Sequence, residues 1–275
     1  MRKITDAVDR LARDSNYRLD PGHVARLQEA LAVEDSPDAR HVLAELLQNA
    51  QAAVEGEAPL CQDTGVAVVF LEIGQEVELT GGDLRAAVDE GVRRGYREGY
   101  LRNSVVRDPL VRENTGDNTP ALLHTEIVPG DEITVHLLPK GAGSENMSRA
   151  AMLRPADGRQ GVVDFTVDTV ARAGASACPP LIVGVGVGGT FDMAPLLAKR
   201  ALLRPLGREN PTKHLAVLER DMLHRINELG IGAGGFGGAT TALAVHVLTY
   251  PCHIASLPVA VNLQCHAHRV GSMRI

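Results

Sequence analysis

Pro179-Pro180, followed by the apolar run Leu181 to Val187, restricts the fold of this chain more than any other stretch. Paired prolines hold the backbone extended and stop a helix, so the run after them enters as a strand. Around it the second half of the sequence alternates. Helices are predicted at 161–173, 192–203 and 211–228, and further strands near 242–248 and 257–262. That rhythm is α/β. In the first half, Val24, Leu27 and Leu31 and then Val42, Leu43, Leu46 and Leu47 recur at helical spacing over 22–33 and 37–55. Val66 to Ile73 reads as a strand and 82–100 as a helix, with Leu84, Ala87, Val88, Gly91 and Val92 inward. The runs 122–128 and 132–138 flank Pro129-Gly130-Asp131, which predicts an antiparallel hairpin. The expectation is a helical N-terminal region followed by mixed β-sheets flanked by helices. It is read as one domain over 1–275, and 203–212, with Pro205, Gly207 and Pro211, is the place where two lobes would divide.

Only 3% of residues are aromatic while 44% are hydrophobic, so the core has to be built from Ala, Val, Leu and Ile. The net charge of -6 argues against nucleic acid or an anionic membrane surface as partner. An anionic substrate therefore needs a local positive site. No apolar stretch approaches the ~18 residues of a membrane span, and charge at Arg2, Lys3, Asp6, Asp9 and Arg10 leaves no signal-peptide core. A cytoplasmic protein is expected. In a reducing compartment, four widely separated cysteines point to metal binding, catalysis or burial rather than disulfides.

Three of those cysteines have unusual neighbours. Cys61-Gln62-Asp63-Thr64-Gly65 joins a soft thiolate to a carboxylate and two hydrogen-bonding side chains on a loop entering a strand. Cys178 precedes Pro179-Pro180, and Cys265 lies beyond an apolar strand beside His266 and His268. A lone cysteine is ordinarily a small buried hydrophobe. Three isolated thiols, in contrast, suit a 4Fe-4S cluster with one iron left open: an electron-transfer cluster normally takes four cysteines, and an open position is how catalytic metal sites work. Cys252, between Pro251 and His253, reads as an ordinary thiol. None of the Cys/His spacings makes a standard zinc motif.

Cys61 to Gly65, Val183-Gly184-Val185-Gly186-Val187-Gly188-Gly189-Thr190-Phe191-Asp192, and His253 to Asn262 followed by Cys265-His266 resemble the signatures of the class I fumarase and L-tartrate dehydratase family, in its alpha part. The resemblance implies an iron-sulfur hydro-lyase alpha-type fold with Cys61, Cys178 and Cys265 as ligands of a 4Fe-4S cluster. It implies further that Gln62, Asp63, Arg102 and the backbone around Gly143 contact the substrate, that Asp63 handles the hydroxyl proton, and that His253 reaches an active site from a neighbouring copy. The reaction implied is reversible hydration of a small dicarboxylate, with fumarate and L-malate leading and tartrate dehydration to oxaloacetate the alternative. Because Ile275 follows Cys265 by ten residues, the family's beta part, which supplies the general base, is expected on a separate chain, with alpha chains paired in a hetero-tetramer. Ala142 interrupts what is often a glycine run, and His268 stands for a commoner Asn.

Several residues have plainer readings. Asp63 and Gln62 could cap a turn, and Arg102 alone would be a solvated charge at a helix end. Gly141-Ala142-Gly143-Ser144 could form a nest of backbone N–H groups for a carboxylate. The glycines at 184, 186, 188 and 189 lack the spacing of a dinucleotide fingerprint. A reading of another class, a non-catalytic Fe-S redox sensor or assembly protein, has no use for Gln62, Asp63 and Arg102.

Overall fold

The computed structural model describes all residues from Met1 to Ile275. Helices α1 (Arg2–Tyr17), α2 (Pro21–Val33) and α3 (Pro37–Glu55) precede strand β1 (Val66–Gly74) and helix α4 (Leu84–Glu98). Then come β2 (Leu122–Val128), β3 (Ile133–Lys140), the short helix α5 (Ala142–Glu145), β4 (Arg149–Leu153), α6 (Gly158–Ala173) and β5 (Leu181–Gly188). The chain continues through α7 (Met193–Ala201), α8 (Lys213–Asn227), β6 (Ala242–Tyr250), β7 (Leu257–Gln264) and β8 (Gly271–Arg274). The expected α/β class holds, with helices leading and two mixed sheets following. No helix is long and apolar enough to cross a membrane. The residues group into two compact units, one of Met1–Leu19, Asn49–Gly141 and Arg269–Ile275 and one of Asp20–Gln48 and Ala142–His268. The segment 203–212 lies inside the second.

In the first unit the sheet order is β2-β1-β3-β8. Strand β1 runs parallel to β2 and antiparallel to β3. This corrects the expected hairpin, because β1 lies between the two strands that Pro129-Gly130-Asp131 connects. Gly74 is what allows it: a Cβ there would stand 2.3 Å from Gly130 O, so the connection crosses the end of β1 only because that residue has no side chain. Helices α1 and α4 cross as closely. Ile4, Ala7, Val8, Leu11 and Ala12 face Val88 and Val92, and a Cβ on Gly91 would lie 2.7 Å from that of Val8.

The second unit has sheet order β4-β7-β5-β6, with β5 parallel to β6 and antiparallel to β7. Its core is aliphatic, as expected: Val163 and Val170 of α6 and Leu215, Met222 and Ile226 of α8 meet Val183, Val185, Val245, Val261 and Leu263 of the sheet. Burying each such side chain contributes about 1.5–3 kcal/mol. The alternate glycines of β5 serve packing. A Cβ on Gly184 or Gly186 would stand 2.1 Å from Ala198 O or Ala194 O of α7, so the helix backbone rests directly on the strand.

Candidate active site

The first unit brings the Cys61 loop and the Arg102 loop together. Thr64 Oγ donates to the Arg102 carbonyl at 3.0 Å, and the Asp63 carboxylate accepts from the Gly65 N–H at 3.0 Å. Asn118, fully buried, donates from Nδ2 to Gly65 O at 3.1 Å while its Oδ1 accepts from the Ser104 N–H at 2.7 Å. The side chains of Gln62 and Arg102 are left exposed, and Cys61, partly buried, directs its thiol at Gln62 Oε1 at 3.4 Å. Asp63 therefore caps its turn, as the plainer reading has it, with one carboxylate oxygen.

Sequence reasoning missed what holds this loop in place. Arg269 is 1% exposed, and its guanidinium donates to Asp63 O at 2.8 Å and to Asn16 Oδ1 at 2.9 Å. Tyr96, buried, places its hydroxyl 2.9 Å from Thr64 O and 3.1 Å from Gly65 O. Burial pushes the Tyr96 phenol above its ordinary range. A buried arginine attached to a loop carbonyl fixes the backbone of the Gln62-Asp63 segment.

The second unit brings Cys178, Cys265 and the Gly143 turn together. Cys178 follows the 3-10 turn Gly174–Ala177 in the left-handed region, with φ 55 and ψ 67, and is exposed. Its carbonyl accepts from the His266 N–H at 3.1 Å, which ties it to the residue after Cys265. Helix α5, carrying Gly143, is secured to β7. Asn262 Nδ2 donates to Glu145 Oε2 at 2.7 Å and to Ser148 Oγ at 3.0 Å, Lys199 pairs with Glu145, and Ser144 Oγ lies 3.5 Å from Gln264 Oε1. The first amides of so short a helix have no intrahelical partner, so Gly143 can present its N–H to a carboxylate. His23 of α2 is buried 5.9 Å from the His268 ring, and burial holds it down to about 4, hence neutral.

His253 does not join this group within its own unit. It lies in the exposed turn before β7, its Nδ1 accepting from the Ala255 N–H at 3.1 Å, whereas Cys265 follows the far end of that strand. Eight residues of strand span roughly 20–25 Å. Cys252, beside His253 and equally exposed, directs its thiol at Ser256 O at 3.4 Å and is just as remote from Cys265.

All four cysteines are free thiols. In neither unit do three His, Cys, Asp or Glu side chains gather around a point as they would to hold one metal ion. Thiolates are soft donors of the kind that hold iron-sulfur clusters, and Cys61, Cys178 and Cys265 are free and at least partly exposed.

The chain belongs to the fumarate hydratase (Fumerase) family, whose model matches residues 5–274, and with it is a carbon–oxygen hydro-lyase. A relative in Methanocaldococcus jannaschii, provisionally named L(+)-tartrate dehydratase subunit alpha, is 43% identical over 99% of this chain and 98% of its own. The L(+)-tartrate dehydratase alpha subunits of Escherichia coli K12 and Shigella sonnei are 29% identical over 99% of this chain and 91% of theirs.

Proposed function

We propose that this chain is the alpha subunit of an iron-sulfur hydro-lyase that dehydrates L-tartrate to oxaloacetate, working with a separate beta subunit. Full-length similarity to relatives named as tartrate dehydratase alpha subunits carries the reading. Those names favour the alternative of the sequence reading over its leading pair, fumarate and L-malate. The family description keeps fumarate as the second substrate to test.

Cys61, Cys178 and Cys265 would hold the 4Fe-4S cluster, and none of the three thiols is committed to a disulfide. When bound, the cluster supplies a Lewis-acidic iron that makes hydroxide a tolerable leaving group. The chain's own groups do the rest of what this subunit contributes. Arg102 and the Gly143 N–H bind substrate carboxylates, Gln62 orients the substrate, and Asp63 receives and returns the hydroxyl proton. Loss of the hydroxyl from one carbon and of the proton from its neighbour gives water and an enol, which ketonises to oxaloacetate. The base that takes the C–H proton belongs to the beta subunit in this reading.

The test is anaerobic reconstitution with the beta chain, followed by a panel of L-tartrate, L-malate and fumarate. Oxaloacetate formation from L-tartrate should have the highest specificity constant. A higher value for fumarate or malate would replace tartrate with that pair, and no turnover of any dicarboxylate would sink the hydro-lyase assignment of these residues.

A further inference from the structure

A cavity of about 310 Å³ opens in the second unit among α2, the α7–α8 connection, α8 and β6, and none of its lining residues belongs to the candidate active site. Its size falls at the lower end of small-ligand sites, roughly 300–1,000 Å³. Four guanidinium groups, Arg26, Arg204, Arg208 and Arg220, line it against two carboxylates, Glu209 and Glu219. Four positive charges less two negative leave an excess of two on this wall, in a chain whose net charge is -6.

Both carboxylates are already engaged. Glu219 accepts from Asn210 Nδ2 and from the Val247 N–H, each at 2.7 Å, and pairs with Arg204 at 2.6 Å. Glu209 pairs with Arg220, and Arg26 pairs with Glu29. Arg208 pairs with no carboxylate. Arg204, held by Glu219 with its side chain 14% exposed, keeps a buried Nε–H with no hydrogen-bond partner. A buried N–H on a cation without an acceptor is costly, and native proteins rarely keep one unless an ion or water completes it. His246 also lines the cavity and donates its Nδ1–H to Ala201 O at 3.2 Å, while burial and the neighbouring Arg204 charge keep the imidazole uncharged.

We propose that this cavity is a binding site for a small oxyanion, a phosphate or a carboxylate, gripped by Arg208 and by the open Nε–H of Arg204. The planar fork of a guanidinium matches either anion through paired charge-assisted hydrogen bonds. Because Glu219 fixes Arg204 before any ligand arrives, one of the two contacts is set in advance, and the exposed Arg208 closes on the anion from the rim.

The test is calorimetric titration of the full-length chain with inorganic phosphate and, separately, with succinate. Saturable binding of at least one probe is expected, and the probe that binds identifies the oxyanion. Arg208→Ala should weaken it about tenfold to a hundredfold, the loss of one charge-assisted contact. Arg102→Ala, which alters only the proposed substrate site, should leave it intact. Arg208 is exposed and unpaired, so its removal spares the fold, whereas removing Arg204 would strand the buried Glu219. Absence of binding by both probes, or binding that survives Arg208→Ala, overturns the proposal.

Discussion

At Cys178, backbone and chemistry can be separated. A residue with a Cβ held in the left-handed region costs about 1–2 kcal/mol relative to glycine, and Cys178 sits there at φ 55. Cys178→Gly should therefore fold at least as stably as the parent, by about 1 kcal/mol in denaturant titration, yet lose the cluster. Anaerobic iron and sulfide analysis decides it: full cluster content in that variant removes Cys178 from the ligand set. Arg102 tests the substrate grip instead. Its alanine variant loses one charge-assisted bond, so the specificity constant should fall about tenfold to a hundredfold, and unchanged kinetics would take it out of the site. His246 makes a third test. Burial, with the Arg204 charge behind it, holds this imidazole down to about 3 against an ordinary 6.5. The unfolded chain binds a proton below about pH 6.5 that the folded one refuses, so this contribution to stability is complete above that pH and is lost as the pH falls toward 3. His246→Gln should flatten the decline of the denaturation midpoint between about pH 7 and 4.5. An unchanged slope would mean that other groups govern it. The Cys61-Gln62-Asp63 turn, with Asp63 capping the Gly65 N–H, could be read from the sequence because its residues are chain neighbours. Arg269 could not, since the Asp63 carbonyl it holds lies 206 positions away.

Among the elements, local pattern located strands and helices well and failed where pairing was non-local. The strand expected at 181–187 is β5, and the helices expected at 192–203 and 211–228 are α7 and α8, slightly shortened. The hairpin failed because a turn signal specifies a reversal of the chain but not which strands pair. That depends on Gly74, more than fifty residues upstream, which clears a path for the connection. The same reasoning gives the glycines of β5 a packing role that their spacing alone did not reveal. Gly186→Ala places a methyl group 2.1 Å from Ala194 O, a backbone atom that moves only if α7 lifts off the strand. Overpacking of this kind costs about 1–3 kcal/mol, and Met193–Ala201 should then exchange its amide hydrogens faster while α6 keeps its protection. Wild-type stability in Gly186→Ala would show that the helix does not depend on this contact.

At the scale of the whole molecule, the position of His253 bears on assembly. Strand β7 puts it roughly 20–25 Å from Cys265 of the same unit, too far for an imidazole to reach a substrate there. If His253 is catalytic in a two-fold pair of alpha chains, it acts on the partner's site, since in an isologous dimer each copy offers the other the same residue. Mixing two impaired variants, assayed at substrate well below KM, tests this directly. Let one alpha chain carry His253→Ala and the other Arg102→Ala, and let both be refolded together with the beta chain. In a mixed dimer, one site combines an intact Arg102 with an intact His253 from the neighbour, while the other lacks both. Random pairing makes half the dimers mixed, so about a quarter of wild-type activity should return. If His253 served its own chain, every site in every dimer would lack one of the two residues, and the mixture would be no more active than the separate variants.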